Sequence, residues 1–156
     1  NNFNGICDSL LVHALDNIDY LPLAKPPLLI SYSGSPNLGN TITFSLSDPW
    51  NPNAFYLFLM SLGNSTGILL SDGKLIPLNP DILFYLSLIA PTALGLTNSI
   101  GYLNSLGNAN VYWTIPNYSG IVGITTYANF ITFDPTLLVP QAISSISQSI
   151  SITLLP

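Results

Sequence analysis

The sequence predicts an all-β protein: an antiparallel β-sandwich of the immunoglobulin-like or jelly-roll-like type, with a short segment ahead of it. Three observations predict this fold. Short apolar runs, several of them alternating with polar residues, recur along residues 28–156. Gly, Pro, Asn and Asp separate these runs about every 8–12 residues, as in sandwiches and barrels. No helical crossover pattern lies between the strands, so a parallel α/β sheet is not expected.

The chain divides into an N-terminal connector segment, residues 1–27, and a β-sandwich domain, residues 28–156. In the connector segment, apolar residues recur at helical steps of three and four: Ile6, Leu10, Leu11, Ala14, Leu15 and Ile18. Asp8 is a candidate N-cap, and Pro22 ends the pattern. Three interpretations stay open: a helix on its own domain, a helix docked on a neighbouring subunit, or an extended segment that fills a strand position in that neighbour.

The first predicted strands differ in how they are covered. Leu28–Ser33 is a short strand that ends in a turn cluster. Thr41–Leu46 alternates strictly between polar and apolar residues, which predicts a half-buried strand. Ala54–Leu62 is almost continuously apolar. It therefore predicts a strand covered on both faces, or one whose outer face meets a partner.

The second half of the chain is interpreted in the same way. Asp72 and Gly73 form a turn signal, which predicts a hairpin between Gly67–Leu70 and Lys74–Leu78. Asp81–Ile89 is a short apolar run that fits a strand or a helix. The remaining predicted strands are Thr97–Leu103, Ala109–Ile115, Ile124–Asp134 and Ile143–Leu154.

Composition excludes several partners. Charged residues are 6% of the chain, against about 25% in an ordinary soluble domain. The only cations are Lys25 and Lys74 and the net charge is −5, so no surface can neutralise phosphates and nucleic acid is not an expected partner. A membrane-spanning helix needs about 20 apolar residues, and neither Ala54–Leu62 nor Ile82–Ala90 reaches that length.

Residues suited to catalysis are scarce, so the sequence predicts a protein that is not an enzyme and needs no cofactor. His13 is the only histidine, there is no Glu or Arg, and no Gly-x-Ser-x-Gly motif is present. Cys7 is the only cysteine, so it is either unpaired or bonded to another chain. Asp72, Asn79 and Asp81 are close enough in sequence to form a weak candidate calcium site, although their spacing matches no known calcium loop.

Two kinds of carbohydrate contact are also predicted. Trp50 lies in a loop rich in Pro and Asn, which makes it a candidate for stacking on a glycan. Asn64 and Asn117 each begin an Asn-x-Ser/Thr triplet and are therefore candidate glycosylation sites. Trp113, which alternates with polar neighbours, is expected in the core.

The order of several short segments resembles a secreted domain that recurs, usually at the C-terminal end, in exported and surface proteins of planctomycetes and related bacteria. The segments that carry this resemblance are Gly39–Pro49, Phe55–Leu59, Ser61–Gly63, Ser71–Asp81, Leu106–Ala109, Trp113–Asn117, Gly123–Ala128, Phe133–Pro135 and Ile146–Ile152. The resemblance covers about residues 28–155. It implies an exported β-sandwich and supplies no catalytic residues.

These observations together predict an extracellular or cell-surface structural protein, a self-assembling subunit of a filament or surface layer. An apolar β surface with few charges is poorly protected against association, so copies of the chain are the expected partners. The expected subunit contacts in the connector segment are Leu10, Leu11, Leu15 and Ile18. The alternative is a carbohydrate-binding or adhesive module of the cell surface that uses Trp50.

Overall fold

Two antiparallel sheets form the body of the protein, and the predicted β-sandwich is confirmed. The computed structural model describes residues 28–134 and 142–156. The predicted contacts Leu10, Leu11, Leu15 and Ile18, together with His13 and Cys7, lie outside the described residues. The strands are β1 (Leu29–Ser33), β2 (Thr41–Ser47), β3 (Phe55–Ser61), β4 (Ile68–Leu69), β5 (Leu75–Ile76), β6 (Leu96–Thr97), β7 (Ile100–Tyr102), β8 (Asn108–Thr114), β9 (Thr125–Phe133), β10 (Ile143–Ile146) and β11 (Ile150–Thr153).

The two main sheets have the following strand orders. The first sheet has the order β1-β2-β8-β6. The second has β9 and β3 at its centre, with β7 on one edge and both β10 and β11 on the other. All of these pairs are antiparallel. Helix α1 (Ile82–Ile89) and two 3₁₀ turns, Pro91–Leu94 and Ser119–Ile121, complete the described elements.

The main core lies between the two sheets. Strand β2 alternates as predicted, with Ile42, Phe44 and Leu46 completely or almost completely buried. Phe44 meets Phe58 of the opposite sheet at a ring-centroid distance of 4.7 Å. Trp113 is buried as expected, and its indole Nε1 donates to the Leu94 carbonyl oxygen at 2.9 Å. Burial of these large aromatic side chains stabilises the packing of the two sheets.

A third layer covers the outer side of the second sheet. It consists of the β4–β5 hairpin and helix α1, and we call it the cover layer. Ile76 and Phe84 of the cover layer form a second apolar cluster with Leu59 and Ile131 of the sheet. Strand β3 is therefore covered on both faces, which is the first of the two interpretations of its almost continuous apolar run.

Three predicted elements differ from the sequence analysis or are decided by the structure. The predicted single strand Thr97–Leu103 is wrong, because the chain crosses between the sheets there, with β6 in the first sheet and β7 in the second. Residues 82–89, left open between strand and helix, are helical. The predicted single strand Ile143–Leu154 is wrong, because it is two strands, β10 and β11, which pair with successive parts of β9. At the break between them, Ser147 Oγ accepts from the Phe130 amide at 2.9 Å, and the Ser147 amide donates to the Phe130 carbonyl oxygen. These two bonds satisfy the backbone amide and carbonyl groups of Phe130 at the point where no regular strand pairs with it.

Asp81 and helix α1 complete the part of the β3 edge that strand β7 leaves unpaired. Strand β7 pairs only with residues 55–57 of β3. Beyond it, the Phe58 amide donates to the Ser99 carbonyl oxygen at 2.8 Å. The Met60 amide then donates to Ser87 Oγ at 3.1 Å, and the Leu62 amide to Asp81 Oδ2 at 2.7 Å. Helix α1 and its cap thus complete an edge that a strand would otherwise have to complete.

Candidate functional site

Helix α1 has the reverse of the usual polarity. Apart from the hydroxyl group of Tyr85, its one polar side chain is that of Ser87, which is fully buried and bonded to β3. Its outward side chains are apolar: Ile82 is 65% exposed and Ile89 75%, and Tyr85 and Leu88 are also exposed. A surface helix normally turns its polar residues to water. An outward face made of apolar side chains is instead typical of a surface that binds another molecule.

The β4–β5 hairpin also turns apolar side chains outward. Ile68 pairs with Ile76, and both contact the apolar cluster below. Leu69 pairs with Leu75, and because neighbouring strand residues point to opposite faces, this pair points outward. Leu69 is 73% exposed. The outer face of the cover layer is therefore defined by six apolar side chains: Leu69, Leu75, Ile82, Tyr85, Leu88 and Ile89.

The charged residues near this face are engaged in contacts of their own. Asp81 caps α1 and the edge of β3. Lys74 Nζ lies 2.7 Å from Asp72 Oδ2, and this hydrogen bond holds the pKa of Asp72 below its usual range. These three charged groups therefore do little to keep the outer face apart from other apolar surfaces.

The three residues of the candidate calcium site have structural roles. Asp72 is paired with Lys74, and Asp81 uses both carboxylate oxygens as hydrogen-bond acceptors. Asn79 Oδ1 accepts from the Thr66 amide at 2.9 Å and from its hydroxyl at 2.8 Å. Residues 28–134 and 142–156 contain no group of three or more His, Cys, Asp or Glu side chains that could hold a metal ion.

Trp50 lies at a second candidate site, in the loop between β2 and β3. Its side chain is 48% exposed, at a shallow pocket of about 310 Å³ whose lining includes the polar side chains of Asn51, Asn53 and Asp134. An aromatic side chain beside amide and carboxylate groups is an arrangement that can contact a sugar ring and its hydroxyl groups. The structure therefore places Trp50 at the surface, where a glycan could reach it.

Asp48 holds this loop in place. Its Oδ2 accepts from Asn51 Nδ2 at 2.6 Å and from Thr132 Oγ1 at 2.9 Å, so the carboxylate joins the loop to strand β9 of the other sheet. Asp48 directly precedes Pro49, a common position for a carboxylate that caps a turn, and the Asn51 contact is of this kind. The sequence contained no signal for the contact with Thr132, which is 84 residues away.

An apolar pocket at one end of the sandwich was not predicted. It has a volume of about 160 Å³ and lies between the sheets beside α1. Its lining includes Leu62, Leu83, Leu94, Trp113 and Leu154. A cavity of this size can hold about one apolar side chain or ring.

The two candidate glycosylation residues are at the surface. Asn64 and Asn117 are exposed and lie outside the strands. Asn64 Nδ2 donates to Ser149 Oγ at 3.3 Å, a distance typical of a weak contact. Both side chains are therefore accessible at the surface, as a glycosylation site requires.

Comparison with known proteins adds little beyond this geometry. No protein-family model matches the chain, and no curated protein matches it. Among solved structures, the chain is similar to a DUF4466 family protein from Parabacteroides merdae, with 15% identity and a TM-score of 0.29. The match covers 84% of this chain and 44% of that one, so this chain spans less than half of its length. The resemblance to the planctomycete domain stays a prediction.

Proposed function

We propose that this protein is a structural subunit that assembles with copies of itself outside the cell, in a filament or surface layer. The outer face of the cover layer is the observation that carries the proposal. Water contact with six large apolar side chains is unfavourable by about 25 cal/mol for each Å² exposed, and a contact between copies removes that cost. In the part of the chain that the structure describes, no helix has the length and apolar character needed to cross a membrane.

An open sheet edge offers a second route to assembly. Among residues 28–134 and 142–156, strand β1 pairs with β2 on one side only. Its sequence, Leu29–Ser33, contains no Lys, no Pro and no charged residue of the kind that protects edge strands. The connector segment leads directly into this edge, so addition of a strand from a neighbour and contact through the connector are compatible. Contacts that do not close on themselves produce a filament.

Deletion of Asn1–Asp19 should abolish assembly into a filament or layer and leave the sandwich folded. The apolar stripe of the connector segment contributes roughly 1.5–3 kcal/mol for each large side chain that it buries, before ordering costs. The two apolar clusters described above are formed by residues of the sandwich domain. Sedimentation velocity and negative-stain microscopy of the full chain and the deletion variant measure assembly, and far-UV circular dichroism reports the fold.

A matched pair of full-chain variants separates the stripe from the segment as a whole. Leu11→Ser/Leu15→Ser changes the apolar stripe, whereas Ser9→Ala/Asn17→Ser changes polar positions in the same segment. We expect the first pair to weaken assembly and the second to have little effect. A full chain that stays monomeric at high concentration refutes the proposed function. A deletion variant that still polymerises refutes the role of the connector.

The second candidate function is a carbohydrate-binding or adhesive module, and the exposure of Trp50 at its polar pocket favours it. If a glycan stacks on this ring, Trp50→Ala should weaken its binding at least about tenfold. Tyr118→Ala is the matched control, because Tyr118 is 66% exposed and is not among the pocket's lining residues. Glycan arrays with no positive sugar, or equal binding by both variants, would rule this candidate out.

A further inference from the structure

We propose that the outer face of the cover layer is a two-fold self-contact, in which it packs on the same face of a second copy. This inference rests on the proposed function and names the surface involved. The polarity of α1 is the first argument. Turning Ser87 outward would remove the hydrogen bond that satisfies the Met60 amide, so the helix cannot present its polar residue to water without loss. The apolar face is thus built into the edge of the sheet.

The size of the face is the second argument. A fully exposed large side chain presents about 200 Å², so the exposed fractions of the four outward side chains of α1 correspond to about 460 Å², and those of Leu69 and Leu75 on the hairpin to about 250 Å². The largest apolar patch on a typical monomer covers about 300–600 Å² and is often functional. A standard protein interface buries about 800 Å² on each partner. The outward side of α1 alone can therefore supply more than half of one side of a standard contact.

The absence of charge on the face points to a second copy as the partner. None of its six side chains carries a charge, and the neighbouring Asp72 and Lys74 neutralise each other. Two copies of such a face have no like charges to repel each other. A two-fold contact requires only that one surface be complementary to itself. Ile82, Tyr85 and Ile89 recur at steps of three and four, the spacing with which one helix packs against another.

A two-fold pair also fits the assembly. An isologous contact closes on itself and yields only a dimer. A second contact, the connector segment in the proposal above, is then needed to join dimers into a filament. The two contacts use separate residues and can be disrupted one at a time.

The test uses the full chain with Ile82→Gln/Ile89→Gln. Glutamine is a good helix former, so the helix should persist while the face becomes polar. We expect the concentration at half-association in sedimentation equilibrium to rise at least tenfold. Leu106→Gln is the control, because Leu106 is 72% exposed and lies outside the cover layer. It should leave association unchanged.

A second variant, Leu69→Gln/Leu75→Gln, changes the same face on the hairpin, so a folding defect in α1 does not decide the result. Weaker association in either folded variant supports the inference. Unchanged association in both, with a full chain that assembles, overturns the inference and leaves the proposed function standing. A full chain that is monomeric overturns both, and this includes the case in which residues 1–27 of the same chain cover the face.

Discussion

Replacement of Gly107 by alanine should lower the free energy of unfolding by more than about 3 kcal/mol or prevent folding. Gly107 precedes strand β8 and has φ +78°, a left-handed conformation that costs other residues about 1–2 kcal/mol. A Cβ there would also lie 2.3 Å from the carbonyl oxygen of Asp48 and 2.8 Å from Pro49 Cα. Both neighbours are backbone atoms, which cannot rotate away as a side chain can.

Gly73 provides the matched control. It has φ +84°, almost the same conformation, but nothing lies within 4 Å of a Cβ built there. Gly73→Ala should therefore cost only the conformational term, about 1–2 kcal/mol. Urea denaturation of both variants measures the difference. Equal losses would show that the close approach of Asp48 does not constrain the fold.

The second large effect is expected for Asp81→Ala, which should lower the free energy of unfolding by about 2–4 kcal/mol. Asp81 Oδ1 accepts from the Phe84 amide at 3.0 Å and caps helix α1. Its Oδ2 accepts from the Ser61 hydroxyl at 2.6 Å and the Leu62 amide at 2.7 Å. One substitution thus removes the helix cap and leaves part of the β3 edge without its acceptor.

Two controls isolate these contributions in the same denaturation experiment. Asp81→Asn keeps an oxygen for the Phe84 amide but has a donor in place of the second oxygen, so its loss should be intermediate. Asp72→Ala removes a carboxylate from a surface pair with Lys74 and should change stability little. If Asp81→Ala behaves like Asp72→Ala, the cap does not hold the cover layer on the sheet.

Most strands were predictable because the signal for a half-buried strand is local. In β2 the polar residues Thr41, Thr43 and Ser45 alternate with apolar ones, and a strand points successive side chains to opposite faces. The hairpin turn at Asp72 and Gly73 is equally local. Such patterns do not depend on what lies across the sheet.

The candidate site was less predictable because it depends on distant contacts. Residues 82–89 are apolar almost throughout, so their period decided neither the element nor the face that meets water. Ser87 decided the face by bonding to Met60, 27 residues away. Likewise, Asn129 is fully buried below the cover layer, and neither polar atom of its side chain has a hydrogen-bond partner in the part of the chain that the structure describes. A sequence pattern could not have indicated this.

By itself, the sequence determined a sandwich of antiparallel strands, the turns between most of them, and a composition poor in charge. Only the tertiary structure decided that residues 82–89 form a helix, that Ile143–Leu154 is divided into two strands, and that the cover layer turns an apolar face outward. The physical reason is that alternation and turn chemistry act between near neighbours along the chain. Burial and the completion of a sheet edge are set by residues that only the folded chain brings together.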